Sequence, residues 1–94
     1  MPERRVTVVP EEGLHARPAS VFVETANEYD AEVLVGPEDA ADDDLVPASS
    51  MLAVTGLGAA GGDTLRLVAE GEDAEAALDA LEDVLTTPED ELEG

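Results

Sequence analysis

Thr64-Leu65-Arg66-Leu67-Val68-Ala69-Glu70 alternates, with Leu65, Leu67 and Ala69 on one side. That period of two marks a strand half-buried on one face. The topology turns on where this strand lies. Working outward, Gly56, Gly58, Gly61 and Gly62 mark the loop before it. After it, Asp73 is placed to cap a helix whose apolar stripe is Ala74, Ala77, Leu78, Leu81 and Leu85. Upstream, Arg5 to Val9 is short and β-branched and reads as a first strand. Pro10-Glu11-Glu12-Gly13 is a turn. A helix beginning near His15 and ending near Asn27 to Asp30 carries Ala19, Phe22, Val23 and Ala26 inward. Ala31 to Val35 is a second strand, broken by Gly36-Pro37. Glu38 to Asp44, with five acids in seven residues, is a solvated loop. Leu45 to Ala48 forms a third strand and Met51 to Thr55 a short second helix.

The order β-α-β-β-α-β-α leaves the first two strands parallel with a gap between them. The fourth strand fills that gap antiparallel to both, and the third hairpins onto the second. The expected fold is α+β: a four-stranded antiparallel sheet in order 1-4-2-3, an open-faced sandwich with three helices on one face. Residues 1–94 read as a single domain, with a core at about 6–85, an acidic loop at 37–44 and an acidic C-terminal tail at 87–94.

Composition narrows the function. The 94 residues hold 24 acids, four arginines and no lysine, a net charge of −20. Such a surface offers no grip for nucleic acid or an anionic membrane. Cysteine is absent, which excludes disulfides and thiolate chemistry. One Phe, one Tyr and no Trp leave little to stack on bases. The composition resembles that of haloarchaeal proteins, because molar salt screens self-repulsion. No apolar stretch approaches the ~20 residues of a membrane span, and the N-terminus does not read as a signal peptide. The expected location is cytoplasmic, and the expected state a monomer without membrane insertion.

The sole histidine, His15, lies in Gly13-Leu14-His15-Ala16-Arg17-Pro18-Ala19 at the predicted helix start. Unpaired N–H groups and the positive end of the helix dipole converge there, favouring an anion. Arg17 adds a guanidinium matched to phosphate oxygens. Pro18 suits a first turn, where its missing N–H costs nothing. A neutral imidazole nitrogen can attack phosphorus, and the resulting bond is labile enough for onward transfer. No P-loop, paired base or metal cluster accompanies it, so neither metal nor resident cofactor is expected.

Gly13 to Ala19 resembles the active-site segment of the HPr family, the histidine-containing phosphocarriers of the phosphoenolpyruvate-dependent sugar phosphotransferase system (PTS). Ser50-Met51-Leu52-Ala53-Val54-Thr55-Gly56-Leu57-Gly58 resembles the family's second-helix segment, and Val68-Ala69-Glu70-Gly71-Glu72-Asp73 its strand-four ending. The match runs from about Val6 to Leu85, with an insertion of roughly four residues in the acidic loop. The resemblance implies an HPr-like fold and a phosphohistidine at Nδ1 of His15. It implies phosphate stabilisation by Arg17, with backbone N–H groups of Ala16 and Arg17 on the phosphoryl oxygens. The only group held is then a transient phosphoryl on His15. Enzyme I is the implied donor and a sugar-specific IIA component the implied acceptor, making the chain a carrier without independent turnover.

The alternatives are a regulatory binding module of the same fold, or a carrier for a dihydroxyacetone-kinase or nitrogen-type relay. The implied partner face comprises Ala16, Arg17, Ser20, Met51, Leu52 and Thr55. Val54, and in part Met51, are expected inside and Leu52 outside. Ser50 matches a serine that many Gram-positive members phosphorylate for regulation; its first reading here is an N-cap. Glu12 departs from the small polar residue usual at that position, and its carboxylate is read as pointing to solvent.

Overall fold

The computed structural model describes residues 2–11, 13–14, 16–88 and 91. Its elements are β1 (Glu3–Thr7), α1 (Ala16–Ala26), β2 (Glu32–Pro37), β3 (Val46–Pro47), α2 (Met51–Gly56), β4 (Thr64–Glu70) and α3 (Ala74–Thr86). The strand order is β1-β4-β2-β3. β4 lies between β1 and β2, antiparallel to both, and β3 pairs antiparallel with β2. The expected α+β sheet is the one observed.

Register explains why the alternating stretch sits at the centre. Val6 opposes Leu65, Val35 opposes Leu67 and Val33 opposes Ala69. Cross-strand partners share a face, so these six form one apolar surface. Phe22 of α1 and Leu78, Leu81 and Leu85 of α3 are fully buried in the same cluster. The helices therefore cover one side of the sheet. Val54 of α2 is also fully buried, and Leu52 is 84% exposed.

Several boundaries and one cap differ from the sequence reading. β1 starts at Glu3 and ends at Thr7, rather than running from Arg5 to Val9. Beyond it, Val8 N–H donates to Asp63 O and Val9 N–H to Leu85 O, each at 2.8 Å. Gly36 and Pro37 do not break β2; they are its last residues, opposite Arg66 and Leu65. β3 is only Val46–Pro47, because its pairing with β2 covers two residues. The acidic loop is exposed, as expected, apart from half-buried Ala40. It contains a 3-10 turn at Asp42–Asp44 and folds back over the side of the sheet that the helices leave open.

Arg66 explains that strap. It lies opposite Gly36, where a Cβ would press on the Leu45 side chain at the end of the strap. Its guanidinium donates to Ala40 O at 3.0 Å, Asp42 Oδ1 at 2.7 Å and Glu3 Oε1 at 3.3 Å. The hydrogen bond to Asp42 raises its pKa further above the usual arginine value.

Asp73 occupies the N-cap position of α3, but its side chain does not cap the helix. Its carboxylate accepts instead from Asp30 N–H at 2.9 Å and Ala31 N–H at 2.7 Å. It thus ties the α1–β2 turn to the β4–α3 turn. Arg4 leaves the sheet on the helix side and binds Glu75, Asp79 and Glu82 along α3. Among the described residues, no helix is long and apolar enough to cross a membrane.

Candidate functional site

The segment between β1 and α1 is built on the turn that precedes β4. Gly13 N–H closes onto Pro10 O at 2.9 Å, and Leu14 N–H donates to Ala59 O at 3.0 Å. Gly13 has φ +73°, and a Cβ there would lie 2.0 Å from Ala59 O. Only glycine fits so close an approach at that dihedral. Leu14, Pro10 and Pro18 are fully buried and anchor the segment on both sides.

α1 then begins at Ala16. Ala16 and Arg17 are its first two residues, whose N–H groups have no acceptor within the helix. Pro18, third in line, has no N–H to leave unpaired. The helix start is thus electropositive and donor-rich, as the spacing predicts. Arg17 is exposed. Arg4, Arg5 and Arg66 all pair with acids, and no described carboxylate lies within ion-pair distance of Arg17. His15 and Glu12 lie outside the described residues.

The expected partner face falls on two helices that pack together. Ser20 is half-buried on α1, where its hydroxyl donates to Glu24 Oε2 at 3.0 Å. On α2, Met51 is 42% exposed. Thr55 is half-buried, with its hydroxyl donating to Met51 O at 2.9 Å. Ser50 caps α2, its Oγ accepting from Ala53 N–H at 3.2 Å. Leu52 and Met51 therefore present apolar surface next to hydroxyls already satisfied within their own helices. A cleft of about 290 Å³ nearby is lined by Glu38, Asp39, Asp63 and Leu57, among others. Its carboxylates suit it poorly to an anion.

Sequence reasoning missed the turn that underlies this segment. Gly61 and Gly62 read only as loop, yet a Cβ on Gly61 would come within 2.8 Å of Pro10 O. Gly62 N–H donates to Val8 O at 2.8 Å. The signal available was the glycine pair itself, since close backbone approach is one reason for glycine.

Residues 2–87 match the family described as the PTS HPr component phosphorylation site. The chain belongs to the HPr family. Relatives agree over nearly its whole length. A phosphocarrier protein HPr of Haloferax volcanii is 72% identical, the match covering 93% of this chain and 96% of that protein. One from Streptomyces coelicolor is 48% identical over 98% of this chain and 96% of its own length. The crystal structure of HPr-C-His from Thermoanaerobacter tengcongensis superposes with a TM-score of 0.80 at 36% identity, covering 90% of this chain and 91% of that one. This HPr is thus a phosphocarrier of the PTS, and the Haloferax relative accords with its salt-adapted composition. A multiphosphoryl transfer protein of Haemophilus influenzae matches 76% of this chain within 14% of its own length, at 41% identity. The same unit therefore recurs inside larger phosphoryl-transfer chains.

Proposed function

We propose that this HPr accepts a phosphoryl group from phospho-enzyme I on Nδ1 of His15 and passes it to a sugar-specific IIA component. One observation carries the reading. The matched family is described by its phosphorylation site, and His15, the chain's sole histidine, immediately precedes the donor-rich start of α1. In the transfer, the N–P bond to His15 forms as the donor's bond to phosphorus breaks, and the donor keeps the electron pair. The backbone N–H groups of Ala16 and Arg17 and the guanidinium of Arg17 stabilise the charge on the phosphoryl oxygens. The transient phosphoryl is then the only group carried, and no cofactor is required. Donor and acceptor use one face in turn, Ala16, Arg17, Ser20, Met51, Leu52 and Thr55, in the cytoplasm.

Incubation with enzyme I and labelled phosphoenolpyruvate tests this directly. The label should appear on His15 as an acid-labile, base-stable phosphoramidate and should discharge onto a IIA acceptor. Label on another residue, or none, overturns the assignment. Arg17→Ala should retain acceptance but slow transfer by about tenfold to a hundredfold, the range for losing a charged stabiliser of about 1.5–3 kcal/mol. Unchanged rates in both directions would remove Arg17 from the site.

Leu52→Asp tests the shared face. The side chain is 84% exposed, so the fold should survive. A carboxylate placed in an apolar contact should weaken docking to donor and acceptor alike. Titration of the transfer rate against each partner checks this; weakening toward one partner alone would mean that two separate faces are used.

A further inference from the structure

We infer that Asp63 is a positioning residue for phosphoryl transfer, acting through the turn on which the segment preceding α1 rests; this depends on the reading of His15 as acceptor. Asp63 Oδ2 accepts from Ala60 N–H at 2.9 Å, and Asp63 N–H donates to Ala60 O at 3.0 Å. The residue thus closes the turn 60–63 with both side chain and backbone. The same turn holds the strand end, because Asp63 O accepts from Val8 N–H and Gly62 N–H donates to Val8 O.

Its opposite side holds the segment preceding α1. Ala59 O receives Leu14 N–H, Gly13 can approach that carbonyl only without a Cβ, and Gly61 backs onto Pro10 and Glu11. Leu14 is the residue next to His15 in the chain. A turn that loosens shifts Ala59 O, and with it the anchored N–H of Leu14. Asp63 acts at a distance from the phosphoryl group; it fixes the turn to which Leu14 is anchored. Misplacement of a reacting group by about 1 Å can cost a hundredfold in rate.

The sole histidine makes the test specific, because the chain yields one set of imidazole NMR signals. Asp63→Ala should move the imidazole resonances in the unphosphorylated protein. It should also lower the maximal transfer rate by about tenfold, with the half-saturating enzyme I concentration nearly unchanged. Asp63→Asn, which keeps an acceptor oxygen without the charge, should restore both. A loss of thermal stability alone, with imidazole signals and rates as in wild type, overturns the positioning role. So does a failure of Asp63→Asn to restore them.

Amide hydrogen exchange on the wild type covers the case in which Asp63→Ala does not fold. The Ala60 and Leu14 amides should open together. Free exchange at Leu14 with protection at Ala60 overturns the coupling. Absence of label on His15 in wild type would instead overturn the acceptor reading, a separate result from any of these.

Discussion

His15→Ala should take up no phosphoryl group from phospho-enzyme I and pass none to a IIA acceptor, while unfolding at nearly the wild-type temperature. The chain has no second histidine, no lysine and no cysteine. Its remaining basic side chains are guanidinium groups, which are poor nucleophiles. Removing the imidazole therefore removes the nucleophile itself, and the labelled fraction should fall to background. Stability should hold because the fully buried residues flanking the position, Leu14 and Pro18, supply the local packing. The expected change is within about 0.5 kcal/mol. The measurement pairs a labelled-phosphoenolpyruvate assay with a thermal melt. Acid-labile, base-stable label in the variant would sink the assignment. A collapsed melt would show instead that His15 is part of the packing.

What the sequence disclosed follows from where the determining contacts lie. β4 and α3 were legible because their burial repeats every two residues and at helical spacing, which is a local property. The helix start at Ala16 was legible because Gly13 and Pro18 are local punctuation. Gly36-Pro37 was misread because the end of β2 is set by its partner. Gly36 pairs with Arg66 of β4, and a Cβ on it would press to 2.7 Å on Leu45 Cδ2, contacts that appear only once the strands and the loop are assembled. Asp42 looked like one acid among five, and its pairing with Arg66 is visible only after β2 and β4 are side by side. Asp73 kept the expected cap position and turned its carboxylate to Asp30 and Ala31, a choice settled by tertiary contact. At the site, the residue types were readable from the motif. The base beneath them was not, because Leu14 meets Ala59, far from it in sequence, only once the chain has folded.

Charge leads to the second large effect: the thermal midpoint should rise by at least about 8 °C between dilute buffer and molar KCl, equivalent to roughly 1–2 kcal/mol in a domain this size. Two salt effects oppose each other. Screening weakens the ion pairs of Arg4, Arg5 and Arg66, which among the described residues engage five carboxylates. The pairs of Arg4 and Arg5 with exposed acids are worth about 0–1 kcal/mol each, and those of buried Arg66 are screened least, so little is lost there. Screening also relieves a net charge of −20 held within a radius of gyration of 11.6 Å. At 0.1 M the screening length is about 10 Å, comparable to the molecule, and at 1 M it is about 3 Å. Repulsion is thus felt across the fold in the first case and hardly in the second.

α3 adds to the imbalance, since its last turn holds no basic residue and Asp83 stands near the negative end of the helix dipole. Most of the gain should come below about 0.5 M, where screening changes fastest; strengthened apolar burial would instead grow steadily with salt. A midpoint that stays flat or falls would remove the salt-adaptation reading and leave the carrier reading intact. The same screening should speed encounter with an acidic donor. Arg17 is the one cation on the proposed face, and apolar Met51 and Leu52 are left to hold the complex. Transfer measured across a KCl series with cognate and bacterial enzyme I decides this. Rates highest in dilute buffer with either donor would mean that complementary charge drives docking, and that the apolar face does not.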